Sequence, residues 1–488
     1  MGRAGGAVFE LSTLVLVLYF GCLAPLVLWG LHRGYLLLMS STGSAPQAVD
    51  LPELPRVTVQ LPLFNERFVA ERAVRAMAAL DYPAERLQIQ VLDDSTDDTT
   101  DLLRPVVAQL ADTGLDIQLL HRTDRTGFKA GALDAALPVA TGELVAIFDA
   151  DFLPHADFLR QVVPFMAPDV GMVQARWGHL NAAHSWLTGA QATLLDGHFV
   201  IEHAARARHD RWFNFNGTAG IWRRQAIDDA GGWQHDTLTE DMDLSYRSQL
   251  AGWRFVFVPQ VVAPAELPQT MAAFKTQQFR WAKGSLQVAR KLFLRLMRAP
   301  IPLGHKVEIA FHLLGNVAHP LMVVVSFLLP LAVWSRGHGS TGALLLVDLV
   351  VFIGSMGSIT LYYGAAITRS GAPGIARRLL ALPLVFALGA GIALSQSRAV
   401  FSGLFGDVGV FVRTPKQGSA GATYRSAVHW SVVGEVLMGL WLCAGFVVAA
   451  SQGYYASLPF LGLFASGWTL VGFSSLGAAL RPARRAPA

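Results

Sequence analysis

The sequence predicts an α/β domain built on a mostly parallel sheet and set between membrane-spanning helices. Three observations predict it. The 488 residues are 52% hydrophobic, with a mean hydropathy of +0.39, more apolar than an ordinary soluble enzyme. That apolarity is concentrated in residues 8–39 and from about 305 onward, whereas residues 40–300 hold most of the Asp, Glu, Lys and Arg. Inside this charged stretch, short apolar or alternating runs and helical patterns follow one another in the order βαβαβ, which builds a parallel sheet with helices on both faces.

Residues 8–39, "VFELSTLVLVLYFGCLAPLVLWGLHRGYLLLM", are long enough to cross a bilayer and too long for a signal-peptide core. With no small-residue cleavage site close behind, they predict a retained anchor over residues 1–40. In residues 41–264, "RVTVQLPLF", "LQIQVLDD", "LDIQLLH" and "ELVAIFDAD" read as strands. Between them lie helical patterns at 66–80, in "TDDTTDLLRPVVAQL" and in "KAGALDAAL". Residues 265–300 hold a long amphipathic pattern in which Phe274, Trp281, Val288 and Leu292 share a face. Lys275, Lys283, Arg290, Arg295 and Arg298 supply charge, so this helix is expected at a membrane interface. Residues 301–488 form a membrane bundle, with spans expected near 307–334, 342–368, 427–451 and 455–480. The stretch 379–397 lies between Arg377 and Arg378 on one side and Arg398, Arg413 and Lys416 on the other. Crossing would put one basic flank on the wrong side, so an interfacial or re-entrant segment is expected, giving five or six membrane segments in all. The charged domain then faces the cytoplasm, and the N-terminus faces out. No regulatory domain is expected after the last span.

Several function classes are excluded. The two cysteines, Cys22 and Cys443, sit far apart in apolar segments and offer neither a disulfide framework nor a cysteine metal site. The formal charge is +4, and no basic run is interleaved with stacking aromatics, so a nucleic-acid partner is not expected.

Ligands of open α/β sheets bind beyond the carboxyl ends of strands, and two acidic pairs lie there. Asp149 and Asp151 stand two apart after a strand, where paired carboxylates suit Mg2+ or Mn2+ and a diphosphate; solvated turn chemistry is the plain alternative. Asp93 and Asp94 end another strand within reach of a base or ribose, while Ser95 or Asp97 caps the next helix. Lys129 opens a helix beside two glycines, a place for an anion; a plain exposed lysine is the alternative. In "DTLTEDMDLSYR", residues 236–247, Thr239 suits a helix cap and Glu240 or Asp243 suits the helix dipole, which leaves Asp241 to face the crevice as a general base. In "QQFRW", residues 277–281, Trp281 offers a stacking face and Arg280 a phosphate partner, although both residues also serve as plain interface anchors.

Taken in order, Asp-Asp, Lys, Asp-x-Asp, Thr-Glu-Asp and Gln-Gln-x-Arg-Trp between an anchor and a membrane bundle resemble the processive membrane-embedded glycosyltransferases of glycosyltransferase family 2. That group includes cellulose, hyaluronan and chitin synthases and the plant cellulose-synthase-like mannan and xyloglucan-backbone synthases. The resemblance covers roughly residues 55–420 and implies a GT-A fold. It implies that Asp93 and Asp94 contact the donor nucleoside, with Lys129 beside the donor, and that Asp149 and Asp151 hold the metal and diphosphate. Asp241 would take the acceptor proton. Gln277 and Arg280 would contact the donor, and Trp281 the terminal sugar. Asn216, Gly217 and Thr218 of "FNGTAG" would lie at the acceptor end with Glu240. "FVRTPK", in a loop near 401–425, is similar to the family's gating loop, which implies phosphate contacts from Arg413, Thr414 and Lys416. The reaction implied is an inverting, metal-dependent transfer of hexose from GDP-mannose or UDP-glucose to a β-linked polysaccharide beside membrane lipid. Gln278, where cellulose synthases commonly carry Arg, leans toward the mannan and xyloglucan branch. A single-transfer glycolipid enzyme of the ceramide type, with a lipid acceptor, is the alternative. A transporter or receptor with a sensor domain does not account for acids at successive strand ends.

Overall fold

The computed structural model describes residues 2–336, 352–409 and 431–480. Seven strands, β1 (Val57–Leu63), β2 (Leu87–Asp93), β3 (Asp116–His121), β4 (Leu144–Ile147), β5 (Val170–His179), β6 (Gly220–Arg223) and β7 (Arg254–Ala265), form one sheet in the order β3-β2-β1-β4-β6-β5-β7. β1 runs parallel to β2 and β4, β2 to β3, and β5 to β7; only β6 is antiparallel to its neighbours, β4 and β5. The four strands expected from sequence are the parallel half. The other three enlarge it to the mixed, GT-A-like sheet.

Both faces of β1 and β2 are covered. Val57, Val59, Leu61, Ile89 and Val91 pack under helices α2 (Ala70–Ala78) and α3 (Thr99–Ala111). The alternate positions Thr58, Gln60, Gln88 and Gln90 are just as buried, so they bond across the strands: Thr58 Oγ1 donates to Gln88 Oε1 at 2.9 Å and Gln60 Nε2 to Gln90 Oε1 at 2.9 Å. α4 (Phe128–Ala136) closes that second face, where its Ala130, Leu133 and Ala136 share a core with Val145, Ile147 and Trp222.

The remaining helices are α5 (Phe158–Val162), α6 (Trp186–Asp196), α7 (Ala204–Arg208), α8 (Arg224–Asp229), α9 (Glu240–Leu250), α10 (Met271–Arg298), α11 (Leu303–Leu314), α12 (Ala318–Arg336), α13 (Ser358–Arg369), α14 (Ile375–Leu380), α15 (Leu382–Gly391), α16 (Ala393–Phe405), α17 (Ser431–Ser451) and α18 (Leu458–Leu480), after an N-terminal α1 (Gly2–Ser40). Among the described residues, four helical stretches are long and apolar enough to cross a membrane: Glu10–Ser40, Leu303–Ser335, Ser431–Ser451 and Tyr455–Gly477. α15 and α16 are long and apolar enough only together and are bent by 48°, as a broken span or a re-entrant loop would be, at the stretch where the basic flanks predict an interfacial or re-entrant segment. Of the span expected at 342–368, residues 342–351 lie outside the described residues, and 358–368 are helical.

α10 departs from the expected interface helix. Its Phe274, Val288 and Leu292 are buried, as the pattern requires, but so is Lys283, one of the cations expected at the interface. Lys283 is 7% exposed, and Lys275 reaches Glu435 of α17. Sequence periodicity counts a lysine as surface; here α9, α16 and α18 enclose the helix, and the long apolar stems are buried with it.

Candidate active site

The carboxyl ends of β1, β2, β4 and β5 open on a cleft closed on the far side by α9 and α10. Asp94, Lys129, Asp149, Asp151, Asn216, Gly217, Glu240, Asp241, Gln277, Arg280 and Trp281, all expected from sequence, line this one space. Asp93 and Thr218 stand behind it. Asp93, fully buried, accepts from the Ser95 amide at 3.0 Å and from the Thr100 hydroxyl and lies 3.0 Å from His121 Nδ1. Thr218 Oγ1 accepts from the Asp149 amide at 2.9 Å. Asp94 faces the cleft with both oxygens held by Arg122, at 2.8 and 2.6 Å. Arg413, Thr414 and Lys416 lie outside the described residues.

Lys129 ties the two halves of the sheet together at the cleft floor. Its ammonium donates to Asp149 Oδ1 at 2.6 Å and to the carbonyl of Gly217 at 2.8 Å. Burial opposes its charge, but the carboxylates of Asp149, Glu240 and Asp241 outweigh burial and raise its pKa. Gly217 has φ +79°, and a Cβ there would stand 3.0 Å from Asp241 Oδ2, so this turn admits glycine both for its backbone and for the approach of the acid. Of the four non-glycine residues with positive φ among those described, Asn65 and Phe128 adjoin cleft residues, which places backbone strain at the site.

Asp241 is the second residue of α9. Burial and the neighbouring Glu240 charge push its carboxyl up to about 7, against the opposing pull of Lys129 and the Met242 amide. Burial raises Glu240 as well, although Lys129 opposes the shift. Thr239 occupies the cap position without capping. Its side chain accepts no hydrogen bond from the helix, because it is pressed against Gly284 of α10 instead. Asp243, expected at the helix dipole, shares another task with Asp236. Both bind Lys291 of α10, at 2.7 and 2.9 Å, and Asp243 also pairs with Arg247 at 2.8 Å. Gln287 of α10 accepts from the Leu238 amide at 2.9 Å. The carboxylates of "DTLTEDMD" therefore divide into two that fasten the loop, Asp236 and Asp243, and two that face the cleft, Glu240 and Asp241. At the start of α3, Asp97 accepts from the Thr99 amide at 3.0 Å, while Ser95 Oγ instead accepts from the Asn65 amide.

α10 brings Gln277, Arg280 and Trp281 to the same cleft. Burial lowers the pKa of Arg280, opposed by Glu240, Asp149, Asp241 and Asp151. The ring of Trp281 is 6.4 Å from that of Trp177, so two indoles make an apolar wall beside the acids. Trp177, with Phe64, Glu66, Arg125 and His179, also lines the cleft and was not singled out from sequence. Phe64 and Glu66 were discoverable, since they follow β1 as Asp149 follows β4. Trp177 depended on recognising β5, which the βαβαβ pattern does not reach.

Four carboxylates, Asp149, Asp151, Glu240 and Asp241, meet two cations, Lys129 and Arg280, in the inner cleft. That excess suits a divalent cation. Among the described residues no three His, Cys, Asp or Glu side chains are grouped to hold a metal by themselves. Two hard carboxylates nonetheless fit Mg2+ or Mn2+, which takes its other ligands from phosphate oxygens and water.

Residues 55–284 match the family described as glycosyltransferase like family 2. Over 260 residues the chain is 43% identical to glucomannan 4-beta-mannosyltransferase 1 of Oryza sativa subsp. japonica, covering 51% of this chain and 50% of that protein. It is 44% identical over 250 residues to glucomannan 4-beta-mannosyltransferase 2 of Arabidopsis thaliana, covering 50% and 47%. The chain thus spans about half the length of the curated relatives it matches. A mannosyltransferase from Pyrobaculum calidifontis, solved with GDP-Man and Mn2+, shares the fold with a TM-score of 0.53 at 23% identity, over 74% of this chain and 98% of that one.

Proposed function

We propose that the family 2 glycosyltransferase domain of residues 55–284 transfers mannose from GDP-mannose, with inversion, to the end of a growing β-linked glycan at a membrane. The observation that carries this reading is Asp241, a carboxyl raised to about 7 in a cleft it shares with Lys129, Arg280 and Trp281. A general base works best with a pKa near the operating pH. Mannose is favoured over glucose because the plant relatives at 43% and 44% identity are mannosyltransferases.

In this reading Asp241 accepts the proton of the acceptor hydroxyl as that oxygen attacks the anomeric carbon from the side opposite the diphosphate. Arg280 neutralises the departing GDP, and Lys129 keeps Asp149 in place against the turn at Gly217. Asp94 holds the nucleoside end, and Asp93 sets the strand end beneath it. Trp281, with Trp177, receives the face of the terminal sugar, and Asn216, Gly217, Thr218 and Glu240 complete the acceptor end, with Gln277 on the donor side. Asp149 and Asp151 would hold Mg2+ or Mn2+, which when bound supplies Lewis-acid stabilisation of charge on the diphosphate. The apolar spans, Leu303–Ser335 among them, keep the domain at a membrane on the cytoplasmic side, beside lipid and the glycan it extends.

Donor choice tests the proposal. The full chain in nanodiscs with Mn2+ is offered radiolabelled GDP-mannose or UDP-glucose separately. Label from GDP-mannose is expected in high-molecular-weight product. Incorporation from UDP-glucose alone would refute the mannosyl assignment, and label confined to extractable lipid would refute the polymer acceptor.

A further inference from the structure

Lys275 precedes "QQFRW" on α10 but faces the other way. At about 100° per residue, Gln277, Arg280 and Trp281 share one face of the helix, and Lys275 and Phe279 fall on the opposite one. On that back face Lys275 Nζ reaches Oε1 and Oε2 of Glu435 at 2.6 and 2.8 Å and Ser475 Oγ at 3.3 Å. Glu435, on α17, is fully buried, and Ser475, on α18, is 9% exposed. Arg398 of α16 is the other cation near Glu435, and its guanidinium lies 5.8 Å from the Phe279 ring centroid. A carboxylate inside an apolar span is costly and is retained where it has a task. Net stability is a poor candidate for that task, because a buried ion pair is often no better than a well-packed apolar pair; setting the register of packed elements is its best-attested use.

We infer that Lys275, Glu435 and Ser475 form a positioning device that fixes the rotation and depth of α10 against the membrane bundle, and so places Arg280 and Trp281 in the cleft. Lys275 is a positioning residue that touches neither donor nor acceptor. The consequence for turnover rests on the glycosyl-transfer reading of Arg280 and Trp281; the tether itself does not. Because both carboxylate oxygens serve one ammonium, the pair fixes direction as well as distance.

Lys275→Met, Glu435→Gln and the exchanged pair Lys275→Glu with Glu435→Lys are compared in nanodiscs, with Lys275→Arg as a milder variant should the single changes fail to fold. Two readouts are taken: hydrogen–deuterium exchange of the peptide covering 271–285 without substrate, and kcat and KM with GDP-mannose. Each single change is expected to speed exchange at 277–281 about tenfold and to lower kcat about tenfold, and the exchanged pair to recover most of both. Single variants that fold and keep wild-type exchange and turnover overturn the inference, as does an exchanged pair no better than the singles. Faster exchange reversed by the exchanged pair, in a protein that transfers no hexose from any donor, upholds the tether and rejects the reaction instead.

Discussion

Gly284→Ala places one methyl group between α10 and the loop that carries the base. A Cβ at Gly284 would lie 2.4 Å from Thr239 Cγ2, 2.6 Å from its Oγ1 and 2.9 Å from its Cβ. Carbon atoms rest about 3.5–4.0 Å apart, so the loop must retreat by about 1 Å. Turning the threonine side chain gives no relief, since its Cβ is itself too close. Nor can the loop slide freely, because Gln287 holds Leu238 and Lys291 holds Asp236. Overpacking of this kind costs about 1–3 kcal/mol. The larger effect is on chemistry: Asp241 follows Thr239 by two residues, and a displacement of about 1 Å in a reacting group costs about 100-fold in rate. Steady-state turnover and GDP calorimetry on the same preparation measure this. We expect kcat to fall about 100-fold with GDP affinity changed by less than about threefold, because the groups at the strand ends stay in place. Thr239→Ala in the same background removes two of the three clashing atoms but leaves the Cβ, and is expected to restore part of the loss. Wild-type turnover in Gly284→Ala, or a loss that Thr239→Ala leaves untouched, would refute the reasoning.

Asp241→Asn is expected to lower kcat by about 10²–10⁴ while GDP binding persists, as measured by label transfer and calorimetry. With the Asp241 carboxyl at about 7, wild-type kcat should rise as pH climbs through that value, and a flat profile would contradict the assignment. The same shift fixes a sign for stability. The folded pKa lies above the unfolded 3.8, so the favourable contribution of the protonated acid is complete below about pH 4 and is lost as pH rises through about 7. Asp241→Asn should therefore raise Tm at pH 8 and leave it unchanged at pH 4, read by differential scanning fluorimetry. Chelation with EDTA is expected to stop transfer and Mn2+ or Mg2+ to restore it, with Asp151→Ala needing about tenfold more metal. Trp281→Ala should raise the KM for an oligosaccharide acceptor several-fold and leave donor affinity unchanged.

Local signals carried the first half of the sheet. β1 to β4 alternate with amphipathic helices, and a carboxylate at a strand end is visible one motif at a time. β5, β6 and β7 were not legible, because their pairing joins residues far apart in sequence and one strand runs against its neighbours. The cleft residues gathered by the motifs meet as expected, but the reason for each acid needed the third dimension. Asp243 reads as a helix-dipole charge until Lys291, about fifty residues away, supplies its partner. Thr239 reads as a cap from "LTED", yet the absent side chain of Gly284 decides its packing. Lys275 reads as a solvated lysine because its partner, Glu435, lies 160 residues on.

The measurement that tests the central claim most directly is the identity of the polymer made by wild type and by Asp241→Asn from labelled GDP-mannose. Wild type is expected to make a product that an endo-β-mannanase digests completely, and Asp241→Asn to make it at least about 100-fold more slowly despite undiminished GDP binding. Polymer that resists the β-mannanase, or transfer near the wild-type rate in Asp241→Asn, would contradict this.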